Sequence, residues 1–162
     1  MRKFLKIALT TVLCCLTFAT ITTLSACKCN HEYENGKCVK CGAWVITEGV
    51  EYALTEDGDS YGVVGFSSKA AAEVYILPEY NGKPVTTVFR EAFANSNIVS
   101  VNIPDSVTTI KGGAFAGCGR LVKVNISDSV TSIGDSAFGS CRMLTSITIP
   151  DSITSIGKYA FV

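Results

Sequence analysis

The sequence predicts a mostly β chain: a solenoid of short parallel strands and single helical turns, with a β cap at its N-terminal side. Three observations carry this. Residues 106–128 and 129–151 are two copies of one 23-residue unit, 84–105 is a copy one residue shorter, and 152–162 is a copy that stops half-way. Repetition at such a period marks units that bury their apolar faces only by stacking on one another. Within the unit an apolar-x-apolar trio recurs as Val101-x-Ile103, Val124-x-Ile126 and Ile147-x-Ile149. Its period of two and its β-branched residues read as a short strand with one face inward. An Ala-Phe pair also recurs, at 92–93, 114–115, 137–138 and 160–161, so stacking would place the phenylalanines in one internal column.

The chain begins with a segment that is not part of this fold. Residues 1–6 are basic and residues 7–23 are an uncharged, mostly apolar run. A basic start, an apolar core and small residues before a boundary read as a secretory signal over 1–26. A membrane-spanning signal anchor is the competing reading, but a span needs about 20 apolar residues and this run is short and rich in threonine. Leu24-Ser25-Ala26-Cys27 closely resembles the lipobox of bacterial lipoproteins. That resemblance implies cleavage before Cys27, which then carries a diacylglycerol that anchors the chain to a membrane. Two or more acyl chains make such anchoring stable.

Residues 27–43 hold a compact cluster. With Cys27 set aside for the lipid, Cys29, His31, Cys38 and Cys41 remain. Three thiolates and an imidazole suit a tetrahedral structural zinc. The Cys38-x-x-Cys41-Gly42 pair looks like a zinc knuckle, and Asn35-Gly36 supplies a turn to bring the two halves together. A second reading stands beside it, because an exported chain meets oxidising conditions in which Cys29 pairs with Cys38 or Cys41 as a disulfide. Four protein ligands would leave no open position for a catalytic metal.

Residues 44–83 have no 23-residue copy and are read as the N-terminal β cap. Strands are expected at 50–54, 61–66 and 73–78, with turns at 56–59 and 80–84. Tyr52, Tyr61, Tyr75 and Tyr80 form either an exposed aromatic patch or cap packing. From residue 84 each repeat opens with Val-x-x-Ile, at 107–110 and 130–133, or a close variant, Val-x-x-Val at 85–88 and Ile-x-x-Ile at 153–156. Its spacing of three does not fit a flat strand, so a second short strand with a bend is expected. The Gly-Asp-Ser-Ala-Phe stretch at 134–138 and its counterparts have room for one helical turn. Pro-Asp or Ser-Asp corners at 104–105, 127–128 and 150–151 turn the chain between the strands. Cys118 and Cys141 occupy one position in adjacent copies and are expected as a buried thiol stack.

The pattern, above all LTSITIPDSITSIGKYAF at 144–161 and SVTSIGDSAF at 129–138, closely resembles the bacterial leucine-rich repeats of the BspA-like surface-protein family. The resemblance covers residues 84–162 and implies a leucine-rich-repeat solenoid of three full repeats and one truncated. It also implies display on the bacterial surface and adhesion to host proteins or other cells. Because arrays in that family are usually longer, a fragment or a shortened gene product is expected.

Charge and composition narrow the function. Residues 1–26 contain three basic residues and no acidic one, which leaves 11 basic against 14 acidic residues in the remainder. A mildly acidic chain without a basic cluster argues against nucleic acid. The single histidine belongs to the cysteine cluster, no serine has a base partner, and there is no phosphate-cradling glycine loop, so no enzyme is expected. The outward strand residues Ser100, Asn102, Lys123, Asn125, Ser146 and Thr148 are the candidate binding surface. The expected function is a lipid-anchored surface protein recognising a host or bacterial surface protein. The alternatives are an envelope lipoprotein that captures a small ligand or assists a complex, and a fragment of a larger surface enzyme.

Overall fold

The computed structural model describes residues 47–68 and 72–162, together with the backbone of two short strands, β1 (Tyr33–Glu34) and β2 (Lys37–Cys38). The chain divides into two units, residues 1–46 and 47–162. In the first unit β1 and β2 pair antiparallel, Tyr33 opposite Cys38 and Glu34 opposite Lys37.

The second unit is a two-sheet solenoid. Its strands are β3 (Val50–Leu54), β4 (Tyr61–Phe66), β5 (Ala72–Tyr75), β6 (Glu79–Tyr80), β7 (Lys83–Val88), β8 (Ile98–Asn102), β9 (Thr109–Ile110), β10 (Lys123–Asn125), β11 (Ser132–Ile133) and β12 (Ser155–Ile156). One sheet runs β3-β4-β7-β9-β11-β12 and the other β5-β8-β10. All pairings from β4 onward along the first sheet, and both in the second, are parallel. The chain thus climbs by one strand in each sheet per repeat as far as β11, after which only the first sheet gains a strand.

Residues 47–83, expected as a cap, are more repeat-like than their sequence. β4 lies parallel to β7, and β5 parallel to β8, so these two strands take the places of a first coil. β3 then pairs antiparallel with β4 through a bulge at Glu51/Tyr52. β3 is the edge strand of this sheet, and its bulge interrupts the regular row of backbone groups along it. β6 and β7 form a hairpin with Tyr80 opposite Lys83, and Asn81 and Gly82 between them both have positive φ, 50° and 75°.

The core lies between the sheets. Val88, Ile110 and Ile133 from the first sheet and Val74, Val101 and Val124 from the second point inward and are buried. The phenylalanine column is present. Phe93 stacks on Phe115 (5.1 Å between centroids), Phe115 on Phe138 (5.0 Å) and Phe138 on Phe161 (5.5 Å), with planes within 6° of parallel. Phe66 of β4 extends the column below Phe93 at 5.5 Å. The spacing matches the roughly 4.8 Å between hydrogen-bonded strands, so one backbone step per repeat sets the stacking distance.

Two expectations are corrected. There is no helix among the described residues, and the segment before each phenylalanine is a chain of tight turns. Glu91, Gly113, Ser136 and Tyr159 have φ of 60°, 65°, 51° and 58°, and Asn95, Gly117 and Ser140 repeat this four residues on. The left-handed residues divide the amides. Ala94 donates back to Glu91 O (2.9 Å), while Phe93 and Asn95 donate across to Ala114 O and Ala116 O of the next coil, both at 2.8 Å. A helical turn would keep its amides within its own coil and leave neighbouring coils unbonded here. The second correction concerns the third trio. Residues 144–150 form no ladder, and Ile149 is 37% exposed.

Candidate recognition face

The second sheet turns one face to the core and the other to solvent. In β5, β8 and β10 the inward residues are Val74, Val101 and Val124, which sit in register. Alternation along a strand then sends the residues on either side outward. Register aligns them into two rows across the strands: Glu73, Ser100 and Lys123 in one, Tyr75, Asn102 and Asn125 in the other. Glu73, Lys123 and Asn125 are exposed, and Tyr75, Ser100 and Asn102 are half-buried.

The rows are held firmly. Ile76 donates to Asn102 O (3.2 Å) and Ile103 to Asn125 O (3.0 Å), bonding the coils at the end of each row. The Asn125 side-chain amide donates to Asn102 Oδ1 (3.4 Å). At the outer edge of β5 the Tyr75 amide donates to Thr47 Oγ1 (2.9 Å), so a side chain occupies a backbone position there. The result is a grid of two amides, a hydroxyl, a phenol and one charge of each sign, spaced by the strands at about 4.8 Å.

The structure brings Ser100, Asn102, Lys123 and Asn125 together on this grid. Ser146 and Thr148 are exposed but lie on the unpaired stretch 144–150, so no strand register carries the rows onto them. Sequence reasoning missed Glu73, and it grouped Tyr75 with the other tyrosines of 44–83 and not with this face. A signal was available: Val74-x-Ile76 is the same apolar-x-apolar trio, followed by a proline one residue later than in the repeats. The other three cap tyrosines pack together. Tyr52 stacks on Tyr80 (4.7 Å), Tyr61 meets Tyr80 edge-on (5.0 Å), and the Tyr52 hydroxyl accepts from the Leu77 amide (3.1 Å). Burial raises the Tyr52 phenol above its ordinary range, against the lowering effect of the Leu77 amide.

The two repeat cysteines are buried free thiols. Cys118 Sγ donates to Phe93 O (3.0 Å) and Cys141 Sγ to Phe115 O (3.2 Å), one coil back in each case. Burial raises both, and Cys141 is pushed up to about 11 with help from the neighbouring Cys118. Protonated thiols turned toward carbonyls are hydrogen-bond donors of the core, not nucleophiles. Among the described residues no group of three or more His, Cys, Asp or Glu could hold a metal ion. Cys27, Cys29, His31 and Cys41 lie outside the described residues, as does the side chain of Cys38. A shallow depression of about 360 Å³ on the turn side is floored by Ala116, Gly117 and Gly139 and has no charged group in its lining. Asn95, Ser136 and Ser140 line it beside Tyr159 and Val162.

Residues 84–162 match the family described as the BspA type leucine rich repeat region. No curated protein matches the chain. Several solved structures do. A leucine-rich repeat protein from Bacteroides capillosus is 30% identical with a TM-score of 0.59, over 69% of this chain and 86% of that one. The T. pallidum leucine rich repeat protein is 25% identical with a TM-score of 0.55, over 72% of this chain. A leucine rich cell surface protein from Faecalibacterium prausnitzii is 32% identical with a TM-score of 0.58, over 71% of this chain. The chain spans 65% of the T. pallidum protein and 29% of the F. prausnitzii one.

Proposed function

Since the chain belongs to the leucine-rich repeat proteins, with repeats of the BspA type at 84–162, we propose that it is a non-catalytic recognition module tethered at the bacterial cell surface, which adheres to a host or bacterial surface protein. The observation that carries this reading is the outward grid of Glu73, Ser100, Lys123, Tyr75, Asn102 and Asn125, held in register by parallel ladders. Rigid elements present side chains with little ordering cost on binding. Tyr, Asn and Ser are residue types that supply adaptable contacts in protein recognition. The likeness to a cell surface protein of F. prausnitzii supports the proposed location. In this reading the lipid on Cys27 is the membrane anchor. Cys29, His31, Cys38 and Cys41 hold one structural zinc, a donor set suited to that ion.

The test is binding of the purified protein, released from its lipid, to immobilised host matrix proteins. Asn102→Ala with Asn125→Ala should weaken a genuine interaction by about tenfold, the effect of losing one to two net hydrogen bonds. Glu73→Gln should alter mainly the salt dependence. Binding that the asparagine pair does not affect would move recognition off this face.

A further inference from the structure

The other sheet carries a second organised surface. Thr86, Thr108, Thr131 and Thr154 stand one coil apart, and their hydroxyls are pinned. Thr108 Oγ1 donates to Thr86 O (3.4 Å), Thr131 Oγ1 to Thr108 O (3.2 Å) and Thr154 Oγ1 to Thr131 O (3.1 Å). Thr86 Oγ1 donates to Ser60 Oγ (2.9 Å). Beside this row runs another, in which the next residue of each coil pairs in strand register from Thr87 to Ser155. The Val-x-x-Ile spacing makes room for both rows, because the two residues between the buried ends face away from the core. Thr108, Thr131 and Thr154 are exposed.

We propose that this hydroxyl face is a binding surface for a neutral, extended polysaccharide. Thr108, Thr131 and Thr154 have each used their only proton on a carbonyl of the coil before, so toward solvent they offer lone pairs alone. An acceptor row is complemented by a partner rich in hydroxyl donors. Neither row contains a charge, so nothing in it favours a nucleic acid or an ionic polymer. The rungs repeat at about 4.8 Å, and every rung makes the same contact only with a partner that has its own repeat. A protein partner would bring side chains that need an apolar pocket to fill, and these rows offer threonine methyls only. The surface is separate from the grid on the second sheet and does not rest on the adhesion reading.

Co-sedimentation with microcrystalline cellulose and with an insoluble β-glucan tests it, using the full chain. The wild type should pellet with at least one of them, and raised salt should leave this unchanged. Thr108→Val, Thr131→Val and Thr154→Val together keep the branched shape and the inter-coil amide bonds but remove three acceptors. This variant should bind at least about tenfold more weakly. The matching serine variant retains the hydroxyls and should bind like the wild type. Should the triple valine chain fail to fold, Thr131→Val read against Thr131→Ser must still show the loss. Wild type that pellets with neither glucan, or a valine variant that pellets like wild type, overturns the proposal. A protein ligand lost in the valine variant, with no glucan bound, overturns it too.

Discussion

Phe115→Ala should destabilise the solenoid by about 4 kcal/mol. Phe115 is fully buried, with Phe93 at 5.1 Å on one side and Phe138 at 5.0 Å on the other. Removing the ring forfeits about 2 kcal/mol of transfer free energy. The hole is walled by two further rings, and the coils that carry them are tied by the bonds of Phe93 N to Ala114 O and Phe115 N to Ala137 O, each 2.8 Å. It therefore cannot collapse. A residual cavity of about 80 Å³ at about 24 cal/mol per Å³ adds roughly 2 kcal/mol. Phe161 is the control. It is 41% exposed and has one stacking neighbour, Phe138, so Phe161→Ala should cost about 1–2 kcal/mol, having less area to lose and no enclosed cavity to leave. Urea denaturation of the two variants measures the difference. A Phe115→Ala loss below about 1 kcal/mol, or equal losses for the two, would refute the column as a source of stability.

Two further predictions rest on contacts between coils. Gly134→Ala should lower stability by about 2–3 kcal/mol in a thermal melt, because its new Cβ would stand 2.4 Å from Gly112 N and 2.7 Å from Lys111 C, and backbone cannot yield as a side chain can. The Cys141 thiol, raised from 9.0 to about 11, binds its proton more tightly in the folded state. Stability from this group is therefore complete below pH 9 and is lost as pH rises toward 11. Cys141→Ser should flatten that part of the profile while keeping a donor for Phe115 O. An unchanged slope between pH 9 and 11 would assign the alkaline loss to other groups.

Much of the fold was legible because a repeat writes the same instruction several times. Strands at Val50–Leu54 and Tyr61–Phe66 were foreseen from apolar alternation between turn residues, and both are present with those bounds. In the first copy the spacing of three between Val85 and Val88 is met by a register shift, with Val85 and Thr87 opposite the consecutive Tyr61 and Gly62. The binding grid was half legible: Ser100, Asn102, Lys123 and Asn125 came from alternation within the repeats. Glu73 and Tyr75 did not, because β5 reaches register with β8 by a shift at Ala72/Glu73 that no repeated residue announces. Ser146 and Thr148 share the repeat pattern without a paired strand, since a strand needs a ladder as well as a sequence.

The chain's own residues determined the period, the inward rows and the phenylalanine column, because burial is a property of side chains and side chains are what repeat. Tertiary structure alone decided where the backbone amides went. Glu91, Gly113, Ser136 and Tyr159 share one left-handed conformation with four different side chains. What they have in common is a place in the stack, where alternate amides must reach the next coil. That demand is set by the neighbouring coil, and so a local reading found a helical turn where the solenoid needed a bonded rung.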